Sequence, residues 1–326
     1  MANSYRHLTY EQRCQIDTLK ERGDSLAEIA RVLGVHRSTI TRELQRNSGT
    51  RGYGYKTAHQ KACDRRKKSH NLKMTPKMIL LIEKKLRMDW SPEQIAGWLK
   101  KEGNEHVSYE TIYKHIWADK KKRGILYKHL RHSGKKYNKR SKGTAGRGCI
   151  PNRIDIKERP QIVEEKVRVG DWELDTIIGA QHQGAIVSMV DRATKLTKLV
   201  KVLRKTTEEV NAALLEKLQP IQKFVLTLTA DNGKEFSGHQ DISKALEASF
   251  FFATPYHSWE RGLNEHTNGL VRQYFPKGTN FDDISKEDVE KVENLLNNRP
   301  RKSLLFETPF DAFYRLTVSQ EIFSCF

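Results

Sequence analysis

The sequence predicts two kinds of structure in one chain, an all-α N-terminal half followed by an α/β domain with a mixed sheet. Residues 8–119 hold short segments with apolar residues at helical spacing, several of them preceded by a capping residue. Beyond residue 151, apolar runs of strand length replace them. The charge divides at the same place, because residues 1–150 carry 35 Lys and Arg against 14 Asp and Glu, whereas residues 151–326 carry 24 against 26.

Length and composition narrow the class of protein. A chain of 326 residues is long enough for two or three domains. No segment has the roughly 20 consecutive apolar residues that cross a bilayer, and the N-terminus lacks the apolar core of a signal peptide. The four cysteines form no CxxC pair, which is typical of a reducing compartment. These features predict a cytoplasmic protein with no membrane partner.

The net charge of +19 lies entirely in the first half of the chain. Such an asymmetry predicts a polyanionic partner that is bound mainly by that half, and nucleic acid is the polyanion that fits. A basic surface that is merely solvated is the alternative. The self-repulsion of so many like charges argues against it.

Residues 1–50 predict a DNA-binding domain of the helix-turn-helix type. Thr9 and Ser25 each stand three residues before a Gln or Glu, which is the capping-box pattern at a helix start. Gly34 ends the second helix as a left-handed residue would, and VHRSTITREL begins a third helix whose exposed donors suit phosphates and base edges. The candidate DNA contacts are Arg37, Ser38, Thr39, Thr41, Arg42 and Arg46. A small helical bundle is the alternative.

A second set of helices follows a basic connector that is predicted over residues 51–74. Residues 75–119 again show capping residues and apolar stripes at helical spacing, and they predict a second helix-turn-helix-like domain. Its last helix turns Lys114 outward, as a candidate DNA contact. The alternative is a scaffold that only braces the first domain.

Residues 120–150 are predicted to be a basic linker. Within it, residues 120–142 hold 11 Lys and Arg and no Asp or Glu, a composition that favours contact with phosphates over simple solvation. A zinc site at His129, His132 and Cys149 is not predicted, because no fourth ligand stands at a convincing spacing.

Residues 151–326 predict the mixed α/β domain. Three β-rich runs at 169–179, 184–192 and 196–203 are joined by short turns and predict antiparallel pairing. A helix then precedes the buried run FVLTLT. The alternation of helix and strand beyond it predicts a mixed sheet.

Three acidic residues of this domain are candidates for metal-dependent chemistry. Asp175 lies in an apolar strand, Asp231 ends another strand, where open α/β sheets place their ligands, and Glu265 lies on a later helix. Three carboxylates on rigid elements suit two Mg²⁺ ions and an in-line phosphoryl displacement. Strand parity and strand ends leave rival carboxylates that periodicity does not exclude. The rivals are Asp171, Glu173 and Asp191.

The stretches WELDTI, TADNGKEF and PYHSWERGLNEHTNGLVRQYFPKG resemble the three catalytic motifs of DDE transposases and retroviral-type integrases. Asp231 and Glu265 are 34 positions apart, the spacing associated with that group. The chain is most similar to the insertion-sequence-30 family of bacterial transposases. The stretches LTYEQRCQI, VHRSTITRELQRN and NNRPRKSLLFETPFDAF resemble that family too, so the resemblance covers nearly the whole chain.

The resemblance implies an RNase H-like catalytic domain, with a five-stranded mixed sheet flanked by helices. It implies that Asp175, Asp231 and Glu265 are both the catalytic residues and the ligands of two Mg²⁺ ions, for which Mn²⁺ can substitute. The implied reaction is cleavage at the terminal inverted repeats of an insertion sequence, followed by strand transfer into target DNA. The implied setting is a homo-oligomer in the bacterial cytoplasm, associated with the nucleoid.

The polar residues around the third motif are assigned supporting roles. Arg272 and Lys277 are predicted to contact DNA phosphates. The supporting candidates are Asn232, Tyr256, His257, Asn264 and Asn268. The alternative for the two asparagines of the helix is that they only cap or solvate it.

Two other functions remain open at this point. A sequence-specific DNA-binding regulator would explain the helix-turn-helix and the charge, but not three motifs in order. A plain RNase H-type nuclease would leave the DNA-recognition domains without a purpose.

Overall fold

The computed structural model describes residues 7–50, 52–70, 74–103, 107–131, 150–255 and 257–324. It divides into two compact units, one reaching to Ile79 and the other starting at Leu80. Within the described residues, every helix is too short or too polar to cross a membrane.

The N-terminal unit is built from four helices. They are α1 (Tyr10–Glu21), α2 (Leu26–Val32), α3 (Arg37–Asn47) and α4 (Tyr55–His70). Both predicted capping boxes are present, at Thr9 and at Ser25, and Gly34 has the predicted positive φ of 64°. Ile16, Ile29 and Ile40 are fully buried at the centre of the unit.

The segment predicted as a basic connector contains α4, which packs against α1 and α3. Its Ala58 is fully buried in the core of this unit. Alanine, lysine, arginine and glutamine have high helix propensity. The basic composition that predicted a solvated connector is therefore equally compatible with a helix, provided that one face of the helix is buried against a core.

A buried ion pair ties the start of this unit to its third helix. Arg13 of α1 donates to Glu43 of α3 at 2.7 Å, and the two side chains are only 7% and 8% exposed. Arg13 also donates to the Leu8 carbonyl, and the Tyr53 hydroxyl donates to Glu43. The charges are therefore buried with their hydrogen-bonding capacity used, which is the condition under which buried ions are tolerated.

Three further helices, α5 (Pro76–Arg87), α6 (Pro92–Lys101) and α7 (Tyr109–Lys121), follow. α6 begins with a capping box at Ser91, and Ser108 caps α7. From Leu80 onward this group belongs to the second unit. A Cβ added to Gly97 of α6 would lie 2.3 Å from the Phe306 ring, and Lys302 pairs with Glu93 at 2.6 Å.

The predicted five-stranded mixed sheet is confirmed. Its strands are β1 (Asp171–Ile178), β2 (Ala185–Asp191), β3 (Thr197–Val202), β4 (Thr227–Ala230) and β5 (Ser249–Phe252). They lie in the order β3-β2-β1-β4-β5. β1, β2 and β3 pair antiparallel, whereas β4 pairs parallel with both β1 and β5. This order and these directions are those of the predicted RNase H-like fold.

Helices cover both faces of the sheet. The elements are α8 (Ile162–Glu165), α9 (Thr207–Leu218), α10 (His239–Leu246), α11 (Gly262–Tyr274), α12 (Lys286–Asn297) and α13 (Pro309–Ser324). Trp172 and Leu174 of β1 belong to the core shared with α9 and α10, and Ile177 belongs to the core shared with α11 and α12. Since side chains alternate along a strand, Asp175 lies on the α11 side.

Candidate active site

Asp175 and Asp231 lie side by side at the middle of the sheet. β1 and β4 are parallel neighbours in which Glu173 pairs with Thr229, and the same register continued by two residues places Asp175 beside Asp231. The guanidinium of Arg261 joins the two, at 3.7 Å from an oxygen of Asp175 and 3.6 Å from an oxygen of Asp231. The two carboxylates therefore share one cation.

Asp175 is held by hydrogen bonds that fix its orientation. The Asn268 amide donates to its Oδ2 at 2.7 Å, and the Thr176 N–H donates to its Oδ1 at 2.9 Å. The Ser188 hydroxyl donates to the Asn268 amide oxygen at 3.1 Å, which leaves the Nδ2 of that amide facing the carboxylate. Burial raises the pKa of Asp175, while Arg261 opposes that shift and Asp231 adds to it.

The loop after β4 positions Asp231. The Gly233 N–H donates to its Oδ1 at 2.9 Å. The adjacent Asn232 is buried, donates to the Ala253 carbonyl at 2.7 Å and accepts from Arg153. Asn232 thus ties the end of β4 to the end of β5 and holds the backbone from which Asp231 projects.

The polar residues of α11 attach that helix to β1. Asn264 is fully buried, and its Nδ2 donates to the Leu174 carbonyl at 3.0 Å while its backbone N–H donates to Glu173. Arg261 donates to the same Leu174 carbonyl at 2.9 Å. The amides of Asn264 and Asn268 are therefore on the sheet side of α11, where they donate to the Leu174 carbonyl and to the Asp175 carboxylate of β1.

Glu265 is exposed in the first turn of α11. Nowhere in the described parts of the chain do three His, Cys, Asp or Glu side chains gather closely enough to hold a metal ion. The structure therefore brings two of the three candidate carboxylates together. The role of Glu265 as a metal ligand stays a prediction.

The three rival carboxylates differ from Asp175 because each has structural hydrogen-bonding or ion-pair partners. Glu173 pairs with Arg192 at 2.9 Å, and both side chains are almost fully buried. Asp171 pairs with Arg168 at 2.9 Å. Asp191 is fully buried and accepts from the Gly170 and Thr194 N–H groups. Each of the three is used in holding the fold together, a use that periodicity does not reveal.

Arg272 makes contacts that anchor the end of α11. Its guanidinium donates to the Ile178 carbonyl at 2.6 Å and to the carbonyls of Phe275 and Pro276. It also lies over the Phe281 ring, 5.6 Å from the centroid. These contacts hold the helix C-terminus to the end of β1, and the predicted DNA contact of Arg272 stays a prediction.

His257 and Lys277, two of the remaining residues around the third motif, lie outside α11. Lys277 is exposed after α11. His257 lies before it, 3.3 Å from Glu260, whose carboxylate accepts from the Thr254 N–H. Tyr256 lies outside the described residues. The supporting roles of Tyr256 and His257 and the phosphate contact of Lys277 stay predictions.

The predicted DNA-reading face of α3 presents its arginines to solvent. Arg37, Arg42 and Arg46 are exposed, and Arg42 donates to the Ser38 hydroxyl at 2.9 Å. Ser38, Thr39 and Thr41 are half-buried. A cavity of about 600 Å³ beside this helix is lined by residues of both α3 and α4. Its basic lining residues include Arg42, Arg46, Arg65 and Arg66.

Outside the catalytic domain, the structure describes Lys114 and only part of the predicted basic linker. Lys114 is exposed on α7. Of the residues weighed for zinc, His129 lies 3.0 Å from Asp89, whereas His132 and Cys149 lie outside the described residues. Most of the basic linker, residues 132–149, lies outside them as well.

Arg261 is the functional candidate that sequence reasoning missed. Its signal is its place in WERGLNE, four positions before Glu265, a spacing that puts the two residues on the same face of a helical segment. An arginine next to an acidic motif is common on any surface. Only the parallel pairing of β1 with β4 shows that this one lies between two aspartates.

The chain thus combines a mixed RNase H-like sheet, with two aspartates side by side at its centre, with an N-terminal group of helices. The family described as a helix-turn-helix domain matches residues 4–47. Over 314 residues the chain is 46% identical to the transposase for insertion sequence element IS4351 of Bacteroides fragilis, covering 95% of this chain and 96% of that relative. It is 34% identical to the transposase InsI for insertion sequence element IS30A of Escherichia coli, covering 95% and 84%.

The chain belongs to the IS30 family of transposases. It is therefore a DNA transposase, and as a DDE enzyme it uses a divalent metal ion. The match includes the catalytic half, which a DNA-binding regulator does not need. Among solved structures, the catalytic core domain of BIV integrase aligns at 19% identity with a TM-score of 0.37, covering 46% of this chain and 97% of that one.

Proposed function

We propose that Asp175, Asp231 and Glu265 are the catalytic carboxylates of this transposase and that they hold two Mg²⁺ ions, with Mn²⁺ as a substitute. The observation that carries the proposal is the pairing of Asp175 with Asp231 around a single cation, 3.7 and 3.6 Å from Arg261. Two carboxylates that share one site repel each other and favour a bound positive charge.

The residues present fit a divalent cation. Carboxylate oxygens are the donors that Mg²⁺ prefers, and Mg²⁺ binds through one or two carboxylates together with water and phosphate oxygens. Asp175 and Asp231 are 19% and 31% exposed, so both remain accessible to a phosphodiester. When bound, the ions stabilise the negative charge that develops on the attacking and leaving oxygens.

The protein's own residues hold the catalytic carboxylates in position. Asn268 orients one carboxylate, and Asn264 holds α11, and with it Glu265, on β1. Water attacks the phosphodiester at the end of the element and releases a 3′-OH. That 3′-OH then attacks a phosphodiester of the target and displaces a second 3′-oxygen. Rigid placement of these groups matters because misplacement of about 1 Å costs on the order of 10²-fold in rate.

Recognition of the terminal inverted repeats is assigned to residues 1–50. The exposed arginines of α3 support it. The proposed contacts are Arg37, Ser38, Thr39, Thr41, Arg42 and Arg46, with Lys114, Arg272 and Lys277 on phosphates. Since both ends of an element must be joined, the active form is proposed to be a homo-oligomer. It acts on nucleoid DNA in the bacterial cytoplasm.

The test is a cleavage and strand-transfer assay with Mg²⁺ or Mn²⁺ on duplexes that carry the ends of the element. Asp175→Asn, Asp231→Asn and Glu265→Gln should each abolish both products and leave end binding intact, because shape is kept while a charged ligand is lost. The matched control is Asp241→Asn, an exposed carboxylate on α10, which should behave like the wild type. Full activity in any of the three variants removes that residue from the proposal.

A further inference from the structure

A basic cavity lies in the second unit, next to the helix that carries Glu265. It has a volume of about 280 Å³ and is lined by α6, by α11 and by the segment after α12. His266, the neighbour of Glu265 in the sequence, is one of its lining residues. The charged residues that matter for the argument are Asp89, Glu93, Arg131, Arg299, Arg301 and Lys302.

Two arginines of this cavity are buried with hydrogen-bonding capacity to spare. Arg299 and Arg301 are only 3% and 8% exposed, and the Nε of each is buried without a partner. Arg299 donates to Gln273 and to the Tyr274 hydroxyl, and Arg301 donates to the Leu296 carbonyl. Buried guanidinium groups normally have a carboxylate or a full set of acceptors.

The two carboxylates that line the cavity already contact other basic side chains. Asp89 lies 3.0 Å from His129, and Glu93 lies 2.6 Å from Lys302. Within the described part of the chain, neither the two buried arginines nor Arg131 forms an ion pair. Asp89 attracts Arg299, but it also lies against His129. Three guanidinium charges therefore converge on one shared carboxylate, and desolvating them costs free energy that a bound anion would offset.

The titration behaviour of Arg301 agrees with a positive potential in this cavity. Burial, followed by the charges of Arg299 and Arg131, lowers the pKa of Arg301 to about 10.

We propose that this cavity binds a phosphodiester group of a DNA strand, through Arg131, Arg299 and Arg301. The planar fork of a guanidinium matches the oxygens of a phosphate, and the cavity is of a size to admit one such group. The proposal rests on the proposed function, because the anion that a transposase brings next to Glu265 is the DNA backbone. A phosphate held there would fix the strand relative to α11.

Arg131 is the best residue to test. It is half-buried at the cavity and forms no hydrogen bond with the described residues, so Arg131→Ala removes a charge without breaking the fold. Gly269→Ala is a second variant, because its Cβ would lie 2.7 Å from the Arg131 Nη2 and push that group aside. Lys244→Ala, an exposed lysine on α10, is the control for losing one charge. Arg131→Lys keeps the charge.

The measurement is the affinity of the full chain for a duplex carrying the element's end, at several salt concentrations without metal. Arg131→Ala should lower the slope of log K against log salt by about 0.9, the value for one phosphate contact. Arg131→Lys should retain most of the slope, and Gly269→Ala should weaken binding. An unchanged slope for Arg131→Ala, or an equal change for Lys244→Ala, overturns the proposal.

A calorimetric titration with inorganic phosphate separates the source of the anion. If inorganic phosphate binds the wild type but not Arg131→Ala, while the DNA slope is unchanged, the cavity is a free-anion site and the DNA assignment is wrong. The proposed function is tested separately by Asp175→Asn, which should abolish cleavage without changing the slope. Failure of one proposal is thus distinguishable from failure of the other.

Discussion

Replacing Arg261 with alanine should make the site bind a divalent cation more tightly. Its guanidinium lies 3.7 and 3.6 Å from oxygens of Asp175 and Asp231, and the three side chains are 13%, 19% and 31% exposed. A pair of unit charges about 4 Å apart contributes about 1 kcal/mol in water and about 4 kcal/mol at an effective dielectric constant near 20. The partial burial places each of these two ion pairs between those limits.

Without Arg261, the metal-free protein keeps two neighbouring carboxylates with no cation between them. The affinity for Mn²⁺ should then rise at least about 10-fold, since about 1.4 kcal/mol corresponds to a factor of ten. The thermal midpoint of the metal-free variant should fall, and added Mn²⁺ should raise it more than it does in the wild type.

The assay is calorimetric titration of Mn²⁺ into the metal-free full chain. Arg261→Lys keeps the positive charge and should bind Mn²⁺ nearly as the wild type does. Arg153→Ala removes an arginine that contacts Asn232 and Asp155, and it is the control for losing an arginine near Asp231. If Arg261→Ala binds Mn²⁺ no more tightly than the wild type, the guanidinium does not compete with the metal and the reasoning is refuted.

Three further substitutions test other parts of the structure. Glu43→Gln leaves Arg13 buried without a charged partner and should destabilise the N-terminal unit by ~3–5 kcal/mol. The measurement is the melting midpoint, which should fall together with DNA binding, and an unchanged midpoint would contradict the prediction. Arg42→Ala should cost ~1–3 kcal/mol on the terminal repeat alone if it reads a guanine; an equal loss on unrelated DNA would show a phosphate contact. Arg272→Ala removes the hydrogen bond to the Ile178 carbonyl and should slow single-turnover joining on the order of 10²-fold. The Mn²⁺ affinity should be unchanged, and normal joining would refute the prediction.

The helical starts and the strand runs were predictable because they depend on residues close in the sequence. A capping box joins Ser25 to Glu28, and the alternation along β1 depends on the strand alone. The antiparallel pairing of the first three strands and the mixed character of the sheet followed from the same local pattern, since short turns allow antiparallel hairpins and a helix between strands favours parallel pairing. The three motifs, with their order and spacing, are likewise readable in the chain.

The choice among the acidic residues of β1 was not predictable from periodicity. Asp171, Glu173 and Asp175 share one face of the strand. They differ because Arg168 reaches the first and Arg192 reaches the second, which leaves the third to Asn268 and Arg261. Resemblance to a family singled out Asp175, and the tertiary contacts supply a physical reason for that choice.

The packing of residues 75–119 was likewise not predictable from the sequence. Their caps and apolar stripes predicted three helices, and three helices form, but nothing local indicates what those helices pack against. Gly97 leaves room for the Phe306 ring, more than 200 positions later in the chain.

Secondary structure and motif spacing could thus be read from the residues alone, because backbone propensity and capping act over a few positions. Tertiary structure decided which charges meet. Asp175 and Asp231 are 56 positions apart, and they become neighbours only through the parallel pairing of β1 with β4. Arg261 lies between them only because Asn264 ties α11 to the Leu174 carbonyl. Electrostatic interaction depends on distance in space and on burial, and the folded sheet sets both.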